Sequence, residues 1–495
     1  MRPAIHSLIV IGMLLGSSNL AHAQNDQSDQ SGAGQASVEQ AAKTRFPQAL
    51  PKRFDLLQGM AATALTEDNT AEFVRILEHA QKLYPYDHRI MVQLVAGYAL
   101  QDEKTKAYNL MLGMQQQGIG FDFNQLPQTE NIRGTESYQY INDLLISNAE
   151  GASISDRAFT LPPEARLTEA ISFDSQSQHF IVGTVREPGI MVLDQSGVPV
   201  VDAPDFNRHV AHAVFDLAVD ASRRHLWAST SAVPQQVGYK SSDFGKNALL
   251  KLDLDSGDLL ASYRIKPDGS PHGMGNIALA SDGTVYLADL RSPTIYELPP
   301  DAEQLTVLAV GPALPNIHGI ALNEQDQLLY LADQNRGLAF IDLRDNRPYL
   351  MGAPETLNLG GIEGIDYWNN HLIIIQPGMR PARVMQILLG NNGRNIVTAE
   401  PIDANHEDYH APNFGVIAGD HYHYLAASHW TAYDLQGNRL PGSKVDAVPV
   451  LKFPLLATDP SGQARPELQD ILRRRAEQQR SQVPELLRPP ADDGD

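Results

Sequence analysis

The sequence predicts an α+β multidomain chain in which α-helical hairpins precede an all-β propeller of six blades. Three observations indicate this architecture. Apolar residues recur at helical spacing from about residue 50 to residue 118. From about residue 155, short runs rich in Val, Ile, Leu and Tyr alternate with turns, as β-strands do. These runs recur as one four-stranded unit, and regular repetition of such a unit is typical of propeller blades.

The first 23 residues are typical of a signal peptide. Arg2 supplies the positive charge, the apolar run from Leu8 to Leu15 is too short to span a bilayer, and Ala21 and Ala23 form the small-x-small cleavage pattern. We therefore expect cleavage after Ala23 and a periplasmic or secreted location. Residues 24–48, rich in Gln, Ser, Asp, Gly and Ala, are expected to form a disordered linker.

The overall composition narrows the classes of function. The formal net charge of -21 disfavours nucleic acid and anionic membrane surfaces as partners, since both require basic patches. The chain has no cysteine, which excludes disulfides, thiolate metal sites and cysteine nucleophiles. No segment after the signal peptide has the length and apolarity of a membrane span.

Residues 49–150 are predicted to form the helical domain. Leu94, Tyr98 and Ala107 lie where a tetratricopeptide repeat has its apolar, aromatic and small residues, and the helices recur at about the 34-residue period of that motif. The region therefore resembles two tetratricopeptide repeats, which implies a groove for a peptide or protein partner. A generic helical hairpin is the alternative. Residues 119–150 are expected to add a helical cap.

Residues 155–460 are predicted to form the propeller. Each copy of the repeat has an apolar inner strand, a polar turn and a second strand. The inner strands open at Glu169, Phe215, Gly275, His318, Glu363 and Asn413. The segment from Arg157 to Leu161 is expected to supply the last strand of the sixth blade and so close the ring. Residues 461–495 are expected to be a charged tail, partly helical and partly disordered.

Several residues that open the inner strands carry chemically active side chains. In a propeller these positions surround the mouth of the central channel, where ligands bind. Oxygen donors suit a calcium-like ion, and an imidazole among them leaves zinc as the alternative. The predicted ligands of a divalent metal are Glu169, Asn276, His318, Glu363 and Asn413.

The repeats resemble the six-bladed propellers of the senescence marker protein/gluconolactonase group and its NHL and strictosidine-synthase-like relatives. Glu169, followed by Ala-Ile-Ser-Phe, resembles the metal-ligand Glu of that family, while His318-Gly-Ile and Glu363-Gly-Ile keep its glycine but change the ligand. The resemblance implies a divalent cation that polarises a lactone or ester carbonyl and activates water. It also implies catalytic roles for Glu363 as a base and for His318.

Three functions follow as hypotheses. The first is an exported, metal-dependent hydrolase of a small lactone or ester. The second is a non-catalytic periplasmic binding or scaffold protein that uses the helical repeats and the propeller to bind a peptide or protein. The third is a lyase with a histidine-bound metal.

Overall fold

The computed structural model describes residues 50–310 and 314–455. The predicted signal peptide, the linker at 24–48 and the tail at 461–495 lie outside the described residues, as do residues 456–460 at the end of the predicted propeller. Within the described ranges, none of the helices has both the length and the apolarity needed to cross a bilayer.

Within the described residues, five α-helices precede the first strand, as the helical periodicity predicts. They are α1 (Leu50–Thr66), α2 (Thr70–Leu83), α3 (His88–Leu100), α4 (Lys104–Gln116) and α5 (Glu136–Glu150). Side chains of Asn69, Asp87 and Thr135 accept hydrogen bonds from the first-turn amides of α2, α3 and α5, which explains where these helices begin. The helical region is thereby confirmed, and its tetratricopeptide-like nature stays a prediction.

Twenty-three strands within the described residues form six sheets. Blade 1 has β2 (Thr168–Asp174), β3 (His179–Thr184) and β4 (Gly189–Leu193). Blade 2 has β5 (Ala213–Asp220), β6 (His225–Ser231), β7 (Asn247–Asp253) and β8 (Leu259–Tyr263). Blade 3 has β9 (Met274–Leu279), β10 (Val285–Asp289), β11 (Thr294–Leu298) and β12 (Thr306–Val310).

The remaining blades continue the order along the chain. Blade 4 has β13 (Ile317–Leu322), β14 (Leu328–Asp333), β15 (Gly337–Asp342) and β16 (Arg347–Leu350). Blade 5 has β17 (Gly364–Trp368), β18 (His371–Gln376), β19 (Arg383–Gly390) and β20 (Asn395–Ala404). Blade 6 has β21 (Gly415–Ala418), β22 (His421–Leu425), β23 (Pro449–Pro454) and, from the start of the propeller, β1 (Asp156–Thr160).

Strand β1 closes the ring. It pairs antiparallel with β23, with Asp156 opposite Lys452 and Thr160 opposite Pro449. Each inner strand contacts the next one, and β21 of blade 6 contacts β2 of blade 1. The six-bladed propeller and its closure by the segment beginning near Arg157 are both confirmed.

The helical region packs on the face of the propeller where the inner strands begin. Arg336, in the loop that follows β14, donates a hydrogen bond to the Leu83 carbonyl (3.1 Å). The Gly120 amide donates to the carbonyl of Arg380, in the loop that follows β18 (2.7 Å). Both loops lie at the channel-mouth end of their strands, so the helices flank the mouth over blades 4 and 5.

A buried arginine fixes this packing. Arg383 of β19 is 5% exposed, and its guanidinium donates to the carbonyls of Gln117 (2.9 Å) and Asn358 (2.8 Å) and to the side chain of Gln376 (2.8 Å). Gln117 caps the C-terminus of α4, an end that attracts positive charge. Burial lowers the pKa of Arg383 to about 10.

Candidate functional site

Four inner strands carry an irregularity near their start, and in blade 3 it lies between Met274 and Ile277. The pairing of the inner strand with the second strand skips Glu169 in blade 1, Phe215 in blade 2 and His318 in blade 4. A bulge of this kind re-aims the side chain of the skipped residue. The side chains of Glu169 and His318 accordingly reach residues of a neighbouring blade at the channel mouth.

Glu169 lies on one wall of the mouth and is 5% exposed. Its Oε1 accepts hydrogen bonds from the indole N–H of Trp430 (2.5 Å) and from the amide of Asn413 (3.1 Å). The Asn413 amide also donates to the Thr168 carbonyl (2.9 Å). The predicted pair of Glu169 and Asn413 is therefore brought together, with Trp430 as a third member.

His318 and Glu363 form the second cluster of the mouth. Nδ1 of His318 lies 3.0 Å from Oε1 of Glu363, and its Nε2 lies 3.1 Å from Oδ1 of Asn316. The Asn316 amide donates to Gln334 (2.8 Å), whose own amide donates to Oε2 of Glu363. The four side chains thus close a ring of hydrogen bonds, in which a doubly protonated imidazole satisfies both acceptors.

An aspartate at the end of β14 holds the backbone segments that carry this ring of side chains. Asp333 is fully buried and accepts hydrogen bonds from the backbone amides of Asn316 (2.7 Å), Asn335 (2.9 Å) and Arg336 (2.8 Å). It therefore holds the segment before the inner strand and the turn after the second strand. Asp289 does the same in blade 3, where it accepts from the amide of Gly273 (3.1 Å).

The two glutamates of the mouth have pKa values displaced in opposite directions. Burial raises the pKa of Glu169 to about 8, and the charge of Glu363 adds to the rise. Burial alone would raise the pKa of Glu363, but the charge and hydrogen bond of His318 outweigh it and lower that pKa. Burial alone would lower the pKa of His318, but Glu363 raises it. Neighbouring carboxyl groups whose pKa values are shifted in opposite directions mark candidate acid–base sites.

A second polar layer lies further along the inner strands. Asp216 accepts a hydrogen bond from the Ile277 amide (2.7 Å), and the Asn276 side chain also bonds to Asp216. Burial raises the pKa of Asp216 to about 7 and that of Asp366 to about 6. Tyr422 donates to Asp366 (2.6 Å). Asn276 therefore has its hydrogen bond with Asp216 in this layer rather than with Glu169.

A loop of blade 6 and the inner strand of blade 2 build an aromatic wall beside Glu169. Trp430 belongs to the loop between β22 and β23, and its ring stacks on Phe215 with centroids 6.4 Å apart and planes 18° apart. Arg186 braces this loop against the loop between β6 and β7, since it donates to the carbonyls of Gln235 (2.6 Å) and Gly437 (3.1 Å). Loops therefore border the channel mouth at blade 1, and helices border it at blades 4 and 5.

The predicted metal ligands offer a divalent ion few free donors. Oδ1 of Asn413 is enclosed without a hydrogen-bond partner among the described residues. Both oxygens of Glu363 already accept hydrogen bonds, and within residues 50–310 and 314–455 no three His, Asp or Glu side chains are grouped as a metal site. Calcium takes six to eight oxygen ligands. The oxygens that remain free are fewer than calcium takes, and the predicted five-residue metal set stays a prediction.

Sequence reasoning missed Trp430, Asn316 and Gln334. Trp430 lies in a long loop between the second and third strands of blade 6, and most of the other blades have only a short loop there, so the repeat gave no signal for it. Gln334 directly follows the acidic residue that ends a second strand, and Asn316 lies two residues before His318. The ends of the second strands were visible as a repeated Leu-Ala-Asp pattern, and that pattern could have drawn attention to the residue after it.

Comparisons with known proteins return similarity of structure alone. No protein-family model and no curated protein matches the chain. One similar solved structure is that of a nidogen/laminin complex, with 14% identity and a TM-score of 0.37 over 48% of this chain and 80% of that chain. Another is the PQQ-bound aldose sugar dehydrogenase of Streptomyces coelicolor, with 15% identity and a TM-score of 0.40 over 61% of this chain and 98% of that chain. Similarity at this level carries no argument about function.

Proposed function

We propose that the protein is a hydrolase of small esters or lactones that acts at the mouth of the propeller channel. The observation that carries this proposal is the His318–Glu363 pair. Its members come from different blades, lie 3.0 Å apart and keep side-chain exposures of 24% and 19%. A histidine oriented by a carboxylate is the proton-transfer unit of many hydrolases.

In the proposed reaction, the pair transfers the proton. Nε2 of His318 first exchanges its contact with Asn316 for a water molecule. The neutral imidazole then accepts a proton from this water as the water oxygen bonds to the carbonyl carbon, and Glu363 stabilises the imidazolium that forms. The carbon–oxygen bond to the leaving group then breaks, and His318 returns the proton to the leaving alkoxide. One water is consumed and one acid and one alcohol are formed, or a hydroxy acid when the substrate is a lactone.

The surrounding residues hold the pair in place. Asn316 and Gln334 complete the ring of hydrogen bonds, and Asp333 fixes the backbone that carries them. Because each of these contacts is local to blades 4 and 5, the pair is pre-organised before a substrate arrives.

The test is a hydrolysis screen of p-nitrophenyl esters and simple lactones with the mature protein. We expect His318→Gln and Glu363→Gln each to lower kcat by about 10²- to 10⁴-fold while KM changes little. His371→Gln is the matched control, since His371 lies at the opposite end of blade 5 and bonds to the Asn369 carbonyl (2.8 Å).

Metal content, measured in the same preparations, tests the predicted cation. Stoichiometric calcium that disappears in Glu169→Gln would support the metal-dependent form of the hydrolase, and zinc lost with His318→Gln would favour the lyase. A protein that hydrolyses none of these substrates, but whose helical region captures a partner in a pull-down, would contradict the hydrolase and favour the binding protein.

A further inference from the structure

Two oxygen atoms at the channel mouth, Oε2 of Glu169 and Oδ1 of Asn413, receive no hydrogen bond from the described residues. Oε1 of Glu169 accepts from Trp430 and Asn413, whereas Oε2 has no hydrogen bond from the part of the chain that the structure describes. Oε2 is not fully enclosed by the protein and keeps some accessible surface. The free oxygen of this carboxyl is therefore open to a ligand.

A second acceptor lies next to it. Asn413 is 2% exposed, and its Oδ1 is enclosed without a donor from the described residues. The amide cannot turn over to correct this, because its Nδ2 side faces two acceptors, the Thr168 carbonyl and Oε1 of Glu169. A buried acceptor without a donor is costly, which makes the atom a marker for a missing N–H or O–H group.

The electrostatics around Glu169 and the aromatic rings beside it indicate the chemical class of the missing donor. The charged groups that act on Glu169 are Glu363 and His318, which largely neutralise each other as an ion pair. The carboxyl of Glu169 is thus left without a cation of its own. Beside it, the stacked rings of Trp430 and Phe215 present an aromatic surface, and aromatic faces attract organic cations.

We infer that the channel mouth binds a ligand carrying an organic ammonium group, seated between the Glu169 carboxylate and the Trp430 indole. The Glu169 carboxyl gives up its proton to solvent as the ammonium binds. The ammonium then donates to Oε2 of Glu169 and Oδ1 of Asn413, and the adjoining carbon atoms pack on the indole. This inference rests on the proposed function, since it makes the substrate an ester or lactone with an amino group. A bare metal ion would gain nothing from the aromatic wall and would find few free oxygens.

The test is a binding titration with three probes of one shape: benzylamine, benzyl alcohol and benzoate. The chain has three tryptophans, so the double variant Trp227→Phe, Trp368→Phe leaves Trp430 as the only tryptophan, whose fluorescence is excited selectively over that of tyrosine. We expect saturable quenching by benzylamine, at least about tenfold weaker binding of benzyl alcohol, and no binding of benzoate. Glu169→Gln should abolish the preference for the amine, whereas Glu187→Gln, an exposed carboxylate on the same face, should keep it.

Equal binding of benzylamine and benzyl alcohol, or a preference unchanged in Glu169→Gln, would overturn the inference. So would calcium chloride that binds alone and excludes benzylamine, because the site would then belong to a metal. Asn413→Leu supplies a second variant and should weaken benzylamine more than benzyl alcohol. Binding is measured without turnover, so a failure of the hydrolase proposal leaves these outcomes unaffected.

Discussion

The hydroxyl of Tyr422 reaches Oδ2 of Asp366 through a gap that Gly415 leaves open. The hydrogen bond is 2.6 Å long and joins the second strand of blade 6 to the inner strand of blade 5. A Cβ on Gly415 would lie 2.4 Å from the Tyr422 hydroxyl, which is closer than atoms approach in proteins. Because Tyr422 is fully buried, its ring has no free space into which to move.

We therefore expect Gly415→Ala to lower the free energy of unfolding by about 1–3 kcal/mol, as overpacked sites do. Gly59→Ala is the matched control. Its Cβ meets no atom within 4 Å, and alanine favours the helix α1 in which it lies. Thermal denaturation measures both variants. If the two variants melted at the same temperature, the gap at Gly415 would have no structural role.

The pH dependence of hydrolysis reports the state of His318. The imidazole accepts a proton only when neutral, and Glu363 raises its pKa above the ordinary 6.5. The rate kcat/KM should therefore increase with pH through a midpoint above 6.5. Glu363→Gln removes the charge that raises this pKa, so the residual activity should have its midpoint at lower pH. An unchanged midpoint in Glu363→Gln would assign the titration to another group.

The stability of the protein should depend on pH through Glu169. Its pKa is raised from the ordinary 4.5 to about 8. Between these two values the unfolded chain loses the proton while the folded protein keeps it, so the free energy of unfolding falls as the pH rises from about 4.5 to about 8. Glu169→Gln is neutral throughout, and its stability should fall less over this range. Denaturant unfolding at several pH values measures the difference, and parallel curves for the two proteins would contradict it.

The packing of the helical region on the propeller should depend on the hydrogen bonds of the Arg383 guanidinium. Lysine keeps the charge but cannot reach the carbonyls of Gln117 and Asn358 and the side chain of Gln376 together, so Arg383→Lys should cost about 1–3 kcal/mol. Hydrogen exchange of residues 104–118 should accelerate. Arg344→Lys is the control, since Arg344 pairs with Asp342 while 65% exposed and should matter little. Unchanged exchange in Arg383→Lys would mean that other contacts hold the helices.

The sequence predicted those features that repeat or that depend on local spacing. The six inner strands, the helices and the meeting of His318 with Glu363 follow from periodicity and from the common position of the residues in their blades. The position of Trp430 does not, because it depends on the path of a long loop that most of the other blades lack. The hydrogen bond between Asn276 and Asp216 was not predicted either. A shift of one residue along the strand determines whether the Asn276 side chain meets Asp216 or Glu169, and the sequence pattern does not define the strand to one residue.

Closure of the ring by β1 and β23 has a consequence for the order of folding. Most blades consist of successive hairpins that can form from adjacent chain, whereas blade 6 needs a strand from each end of the propeller. Contacts between distant segments form slowly, and β22 exposes an unpaired edge until β23 arrives. A chain cut before Pro449 would therefore hold five blades and an open edge, and we expect the pairing of β1 with β23 to form late in folding.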